Sequence, residues 1–277
     1  TVYRYFCPVR WISKLFDNYV RYNIHVGLAV LALAQITALD FNLSLCFPQL
    51  LVLFVASFLA YNFIKFHRLL WESIGSKFKG RVLFLGLTLS IILWFIGGSI
   101  QLSFYSLTIL LFTLLLVLLY CLPLPGFTLN LRGLKGLKIH LVALSWVLTT
   151  IFLPLSMGGQ NISEYSLSYA FQRYLFVLVA TLPFEIRDLK SDDPHLSTWP
   201  QKFGVSRTRW LGGLLLFLFI FLEIYWSMTS NLFLVLGIAI ILMGFIINSK
   251  AQQSKYFSSF WVEGIPILWL ILKYIMI

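Results

Sequence analysis

The sequence predicts an all-α integral membrane protein, a single domain built from nine transmembrane helices. Three observations carry this expectation. The 277 residues are 60% hydrophobic and only 11% charged, with a mean hydropathy of +0.88, whereas soluble domains average about 25% charged residues. Nine apolar runs can be marked along the chain, most of them close to the roughly 20 residues that one span requires. The Lys and Arg residues fall almost entirely in alternate connections between those runs, the pattern set by positive-inside topology.

Residues 1–21 come first, a basic and aromatic segment expected to lie at the membrane interface with Trp11, Phe16 and Tyr19 on its apolar side. It lacks an apolar core ahead of a small-residue cleavage site, so no cleavable signal is expected. The runs follow at 22–40, 44–64, 82–100, 102–121, 138–157, 167–186, 209–227, 231–248 and 260–277. They are continuous and show no period-2 alternation, which selects helices over a barrel. Pro154, Pro183 and Pro266 are expected to kink their spans. A charge at bilayer depth costs about 3 kcal/mol on insertion scales, so Glu223 is expected to face the bundle interior, with Arg173 as its candidate partner. His25 and Glu263 sit near interfaces. The many Trp and Tyr residues read as interface belts and packing. Cys7, Cys46 and Cys121 match no zinc or redox spacing and read as small apolar fillers.

With the N-terminus in the cytoplasm, 19 of the 21 Lys and Arg residues lie on the inner side, and only Arg173 and Lys273 fall elsewhere. The net charge of +11 is therefore scattered over short loops, which argues against a nucleic-acid partner and for membrane lipids as the surroundings. The cell (inner) membrane is the expected location. The inner segments 65–81, 122–137 and 187–208 are the long ones, so a site for a charged head group is expected to open on that face.

Four of the ten acidic residues crowd into one stretch, as Glu185, Asp188, Asp192 and Asp193. On a continuous helix Glu185, Asp188 and Asp192 would share a face at i, i+3 and i+7. Like charges there repel unless a cation lies between them. Oxygen-only ligands suit Mg²⁺, which binds through one or two carboxylates plus substrate phosphates. Arg187, Lys190 and Lys202 could hold phosphate oxygens directly. A solvated loop with local salt bridges is the plainer alternative.

The stretch resembles the second aspartate-rich motif of the UbiA superfamily of intramembrane prenyltransferases. "DLKSD" supplies Asp188 and Asp192, "STWP" supplies Ser197 to Pro200, and "FG" supplies Phe203 and Gly204. Trp199 stands where Leu is usual, and the loop is shorter than is common. "YCLPLPGFTLNLRGLKGLKIHLVALSW" is similar to the family's segment leading into span five. The resemblance implies a nine-helix UbiA-type bundle with a polar cavity on the cytosolic side. It also implies a reaction in which metal-held diphosphate leaves an allylic cation and an acceptor attacks it. The family's first aspartate motif is lost. In "YNFIKFHRLLWES", Asn62 remains, but Phe63, Phe66 and Leu70 occupy the aspartate positions. Lys65 and Arg68 stand there instead, either binding diphosphate directly or acting as ordinary flanking charges.

Two functions stay open on this reading. One is a divergent prenyltransferase moving an isoprenoid from its diphosphate to a lipophilic acceptor. Its catalytic residues would be Asp188 and Asp192, its metal ligands Asp188, Asp192 and Glu185, with at most one half-site for Mg²⁺. Asn62, Lys65, Arg68, Arg132, Lys135, Lys138 and Lys190 would bind substrate. The other is a catalytically silent relative that binds a lipid or quinone-like ligand, or serves as a subunit with a partner protein in a membrane complex.

Overall fold

The computed structural model describes residues 8–72, 102–122, 130–227 and 231–276, with side chains from residue 12 to 66 in the first of these stretches. Cys7, the run 82–100 and the side chains of Trp11, Arg68, Leu70 and Glu72 lie outside the described residues. The helices are α1 (Pro8–Arg21), α2 (Ile24–Asp40), α3 (Phe47–Glu72), α4 (Phe104–Cys121), α5 (Lys138–Met157), α6 (Glu164–Asp188), α7 (Trp199–Trp226), α8 (Leu232–Asn248) and α9 (Phe257–Met276). No strand occurs among the described residues. The other eight predicted runs correspond to α2 through α9.

Six of these helices are long and apolar enough to cross a membrane, or seven if α1 and α2, bent by 61° to each other, form one span. The surface is inverted relative to a soluble protein. Phe104, Leu111, Trp210, Phe217, Phe233 and Ile240 are exposed, while charged side chains are drawn inside. The chain is a multi-pass integral membrane protein.

Polar caps set the helix ends. Ser103 accepts from the Ser106 amide at the start of α4, and Asn231 accepts from the Leu234 amide at the start of α8. A reciprocal capping box opens α6 (Ser163 with Ser166), satisfying two orphan amides, and at the start of α7 Gln201 Oε1 accepts from the Thr198 amide. α6 packs against α5 and α7, and α2 against α3 and α9. Where lipid is the solvent, helix association depends on close packing and small residues. α2 accordingly buries Ala29, Ala32, Ala34 and Ala38. A Cβ added at Gly212 of α7 would stand 2.8 Å from Leu182 Cδ1 and 3.2 Å from Ile246 Cδ1, so a larger residue would have to displace these side chains of α6 and α8.

Two helices carry π-turns, Leu148–Phe152 in α5 and Phe257–Val262 in α9. Side chains bond to carbonyls at both turns. Thr150 Oγ1 donates to Trp146 O at 2.7 Å, and Thr37 Oγ1 of α2 donates to Thr150 O at 2.7 Å. In α9, His25 Nε2 donates to Phe260 O at 2.8 Å. That bond puts the ring proton on Nε2, so Nδ1 accepts from Tyr19 Oη at 2.7 Å. α1 is thereby tied down. Phe16 packs on Tyr256 and Phe260, and Asp17 meets Lys255 and Tyr256, whose hydrogen bonds hold its carboxyl below the usual range. Phe16 and Tyr19 thus face protein rather than lipid, and Ile12 and Leu15 are the exposed apolar residues of α1. Of the three prolines expected to kink spans, Pro154 follows the α5 π-turn and Pro183 lies inside α6. α7 is broken instead at Gly204, whose backbone leaves the helical region.

Glu223 and Arg173, expected as a pair, each have other hydrogen-bond partners. Glu223 accepts from Gln172 Nε2 at 2.8 Å. Arg173 donates to Leu33 O and to Tyr169 Oη. Tyr169 in turn donates to Asp40 Oδ2 at 2.8 Å, and Lys273 Nζ meets Asp40 Oδ1 at 2.5 Å. The Asp40 and Lys273 side chains are only 3% and 6% exposed, so the pair joins α2 to α9 in a low-dielectric setting. Removing one member of a buried pair costs about 3–5 kcal/mol. Lys273→Met is expected to lower the thermal unfolding midpoint sharply, and Lys273→Met with Asp40→Asn to recover much of the loss, read by thermal denaturation in detergent.

Candidate functional site

The site forms where α5 and α6 meet the turns beside them. Asn130 starts the first turn: its Oδ1 accepts from the Gly133 amide and its Nδ2 donates to Cys121 O. Gly136, with φ of 75°, adopts the left-handed backbone that glycine accepts without strain. Its amide donates to Leu196 O at 2.9 Å, which joins this turn to the 3₁₀ turn Pro194–Leu196. α5 then begins at Lys138.

α6 ends at Asp188, so the i+7 helical face does not extend to Asp192. A turn places Asp192 instead: the amides of Ser191 and Asp192 both donate to Asp188 O, and Gln201 Nε2 donates to Asp192 O and Asp193 O. Lys138 Nζ stands between two carboxylates, 2.9 Å from Glu185 Oε1 and 2.5 Å from Asp192 Oδ2. Arg132 Nη2 is 3.9 Å from Asp192 Oδ1. Asp188 takes both its bonds from its neighbour Arg187, at 2.7 and 3.0 Å, and Arg187 also reaches Ser259 Oγ of α9 at 3.1 Å.

These groups crown a cavity of about 260 Å³. Its body is apolar and aromatic, with Val117, Ile139, Val142, Phe176 and Pro266 among the lining, and its charged end holds Lys138, Glu185, Asp188 and Glu263. Tyr61 of α3 and Trp146 of α5 are hydrogen-bonded to each other across it. Two buried oxygens on lining residues have no hydrogen-bond partner, Ser57 Oγ and Glu185 Oε2. A second cavity of about 380 Å³ lies among α1, α3 and α9, lined by polar groups that include Arg21, Lys65 and Lys255. Glu263 lines both cavities. An intramembrane carboxylate is a functional candidate by default, yet Glu263 reads in sequence as near an interface and is not among the expected site residues. Nothing in the sequence marked Tyr61, Tyr120 or Trp146 as cavity residues.

The expected site residues divide into groups. Lys138, Glu185 and Asp188 line the cavity, and Asp192 and Arg132 stand behind its mouth. Lys135 and Lys190 are exposed. Lys65 donates to Arg21 O at 2.6 Å and faces the second cavity. Asn62 turns toward the α1–α2 junction: it donates to Tyr22 O and Phe58 O and accepts from Asn23 Nδ2. A resident Mg²⁺ does not fit this donor set. Glu185 and Asp192 already share an ammonium, Asp188 is engaged by a guanidinium, and the described residues hold no group of three metal-ligating side chains. Asn62→Ala is expected to destabilise the protein by about 1–3 kcal/mol and to speed proteolysis after Arg21, without weakening ligand binding in the apolar cavity.

No family model matches the sequence, and no curated protein does either. Solved structures do. A UbiA homologue from Archaeoglobus fulgidus superimposes with a TM-score of 0.60 at 13% identity, covering 92% of this chain and 95% of that one. A structure of the same description bound to GPP and Mg²⁺ gives 0.58 at 13% identity, with 92% and 98% covered. A structure of digeranylgeranylglyceryl phosphate synthase gives 0.55 at 15% identity, with 93% and 96% covered. Along nearly its whole length, this chain has the fold of the UbiA-type prenyltransferases.

Proposed function

We propose that the protein is a divergent UbiA-type prenyltransferase, which seats an isoprenoid chain in the apolar cavity beneath Lys138 with its diphosphate at the charged mouth. One observation carries this reading: the cavity is apolar and aromatic along its body and charged at one end only, the polarity of a prenyl diphosphate. In the transfer, the allylic C–O bond to diphosphate breaks, the acceptor forms a bond to the same carbon, and the acceptor gives up a proton. Tyr61, Trp146 and Phe176 present aromatic faces that stabilise positive charge on the chain. Lys138 and Arg132 offer charge-assisted hydrogen bonds to the departing oxygens. The acceptor is lipid-soluble, reaching the cavity from the bilayer.

The silent ligand-binding relative is favoured by a different observation. Phe63 and Phe66 occupy first-motif positions, and the carboxylates of the second motif are engaged by Lys138 and Arg187. Purified full-length protein with labelled geranyl diphosphate separates these readings. Wild type is expected to bind it, and Ala180→Trp, which fills the cavity, to weaken binding about tenfold or more while the protein stays folded. Transfer to any of a panel of quinone-precursor and lipid acceptors supports the enzyme; binding without transfer selects the silent relative. Absence of binding by folded wild type sinks the prenyl-donor reading and leaves the relative that binds another lipid or serves as a subunit.

On the same reading the chain crosses the cell (inner) membrane nine times, with 82–100 as one span, a cytoplasmic N-terminus and the mouth opening to the cytoplasm. Cys46 is free and exposed, just ahead of α3 and at the opposite end of that helix from the mouth. An impermeant maleimide applied to intact cells is expected to label Cys46 in a variant lacking Cys7 and Cys121. Labelling only after the membrane is opened would reverse the topology.

A further inference from the structure

Three carboxylates gather at the mouth, and each already has a cation from the chain itself. Lys138 bridges Glu185 and Asp192, Arg132 approaches the other oxygen of Asp192, and Arg187 forks onto Asp188. The Lys138, Glu185 and Asp192 side chains are 15%, 3% and 10% exposed, so this is a built, half-dry cluster rather than a solvated surface pair. Its parts are held in place by backbone: Lys138 opens α5, Glu185 lies in the last turns of α6, and Asp192 is pinned by the amides and by Gln201 described above. An ammonium has three donors. Two of them are taken by the carboxylates, and the third is available on a residue that lines the cavity. Glu185 Oε2, buried and without a partner, adds an acceptor beside it. Among the described residues, α3 contributes Ser57, Ala60, Tyr61 and Ile64 to the cavity, and Glu263 of α9 is the one further carboxylate that lines it.

Two carboxylates joined through one cation that also meets ligand phosphate is the arrangement by which proteins ordinarily hold Mg²⁺. We propose that the Lys138 ammonium, clamped between Glu185 and Asp192, is the resident cation of this mouth and contacts ligand phosphate oxygen in place of a divalent metal ion. This deepens the prenyl diphosphate reading and rests on it only for the identity of the ligand. A fixed monovalent cation has a consequence that a metal site lacks. Its affinity for phosphate is insensitive to chelators, and its removal exposes a carboxylate pair that attracts metal.

The experiment is a Mn²⁺ titration of the detergent-solubilised full-length protein, following loss of the free-ion paramagnetic resonance signal. Wild type is expected to show no site tighter than the detergent background. Lys138→Met is expected to gain one Mn²⁺ site at least about tenfold tighter than any in wild type, and Lys138→Met with Glu185→Gln to lose it. Geranyl diphosphate is expected to bind wild type with less than about a twofold change between chelator and Mg²⁺. Tight Mn²⁺ binding by wild type overturns the proposal, as does a folded Lys138→Met protein that gains no site. If Lys138→Met does not fold, Lys138→Gln serves in its place, and the wild-type titration decides if neither folds. Failure of geranyl diphosphate to bind would remove the prenyl donor and leave the Mn²⁺ comparison standing, so the two failures are distinguishable.

Discussion

In a chain whose surroundings are hydrocarbon, a charge has to find its opposite within the same molecule, because leaving it unpaired in a low dielectric is costly. The Lys138 ammonium between Glu185 and Asp192 meets that constraint at the mouth. It fixes the start of α5 against the end of α6 and draws the loop after α6 across both. The 130–137 turn, bonded through Gly136 to Leu196, follows from that closure. So does the position of the apolar cavity, which lies beneath these side chains.

α6 carries the second solution to the same problem. Arg173, toward its other end, is buried and serves Leu33 O and Tyr169, which leads to Asp40 and Lys273. Arg173 and Lys273 are the two basic residues that depart from the inner-side pattern. Both are buried: Lys273 pairs with Asp40, and Arg173 reaches it through Tyr169.

The apolar runs were legible because span length and continuity are local properties: the run 138–157 coincides with α5, and the carboxylate cluster was plain from its isolation. Partners were not legible. Lys138 reads in sequence as one of several cations that could bind substrate, and its meeting with Glu185 depends on two helices packing side by side. The i, i+3, i+7 argument held as far as Asp188 and failed at Asp192, because α6 stops and a turn takes over. Asn62 kept its identity as a motif residue yet spends its amide on the α1–α2 junction. The neighbouring Lys65 likewise caps Arg21 O. In both cases a residue chosen by motif position is engaged by an element that the motif does not contain. The fold, shared at 13–15% identity with UbiA homologues, fixes the cavity's location, while the chemistry is set by which side chains line it.

The π-turn in α5 bears on how this chain is compared with others. Each π-turn holds one residue more than the α-helical turn it replaces. Between Lys138 and Pro154 the chain is therefore one residue longer than a regular helix of the same geometry would be. The inner half presents Lys138, Val142, Ser145 and Trp146 to the cavity; the outer half turns Thr150 toward Thr37 of α2. An ungapped alignment with a relative that lacks the turn would match one half correctly and shift the other by a residue, pairing cavity positions with lipid-facing ones. Placing a single-residue gap within Leu148–Phe152, and another within Phe257–Val262, would bring structurally equivalent side chains back into register.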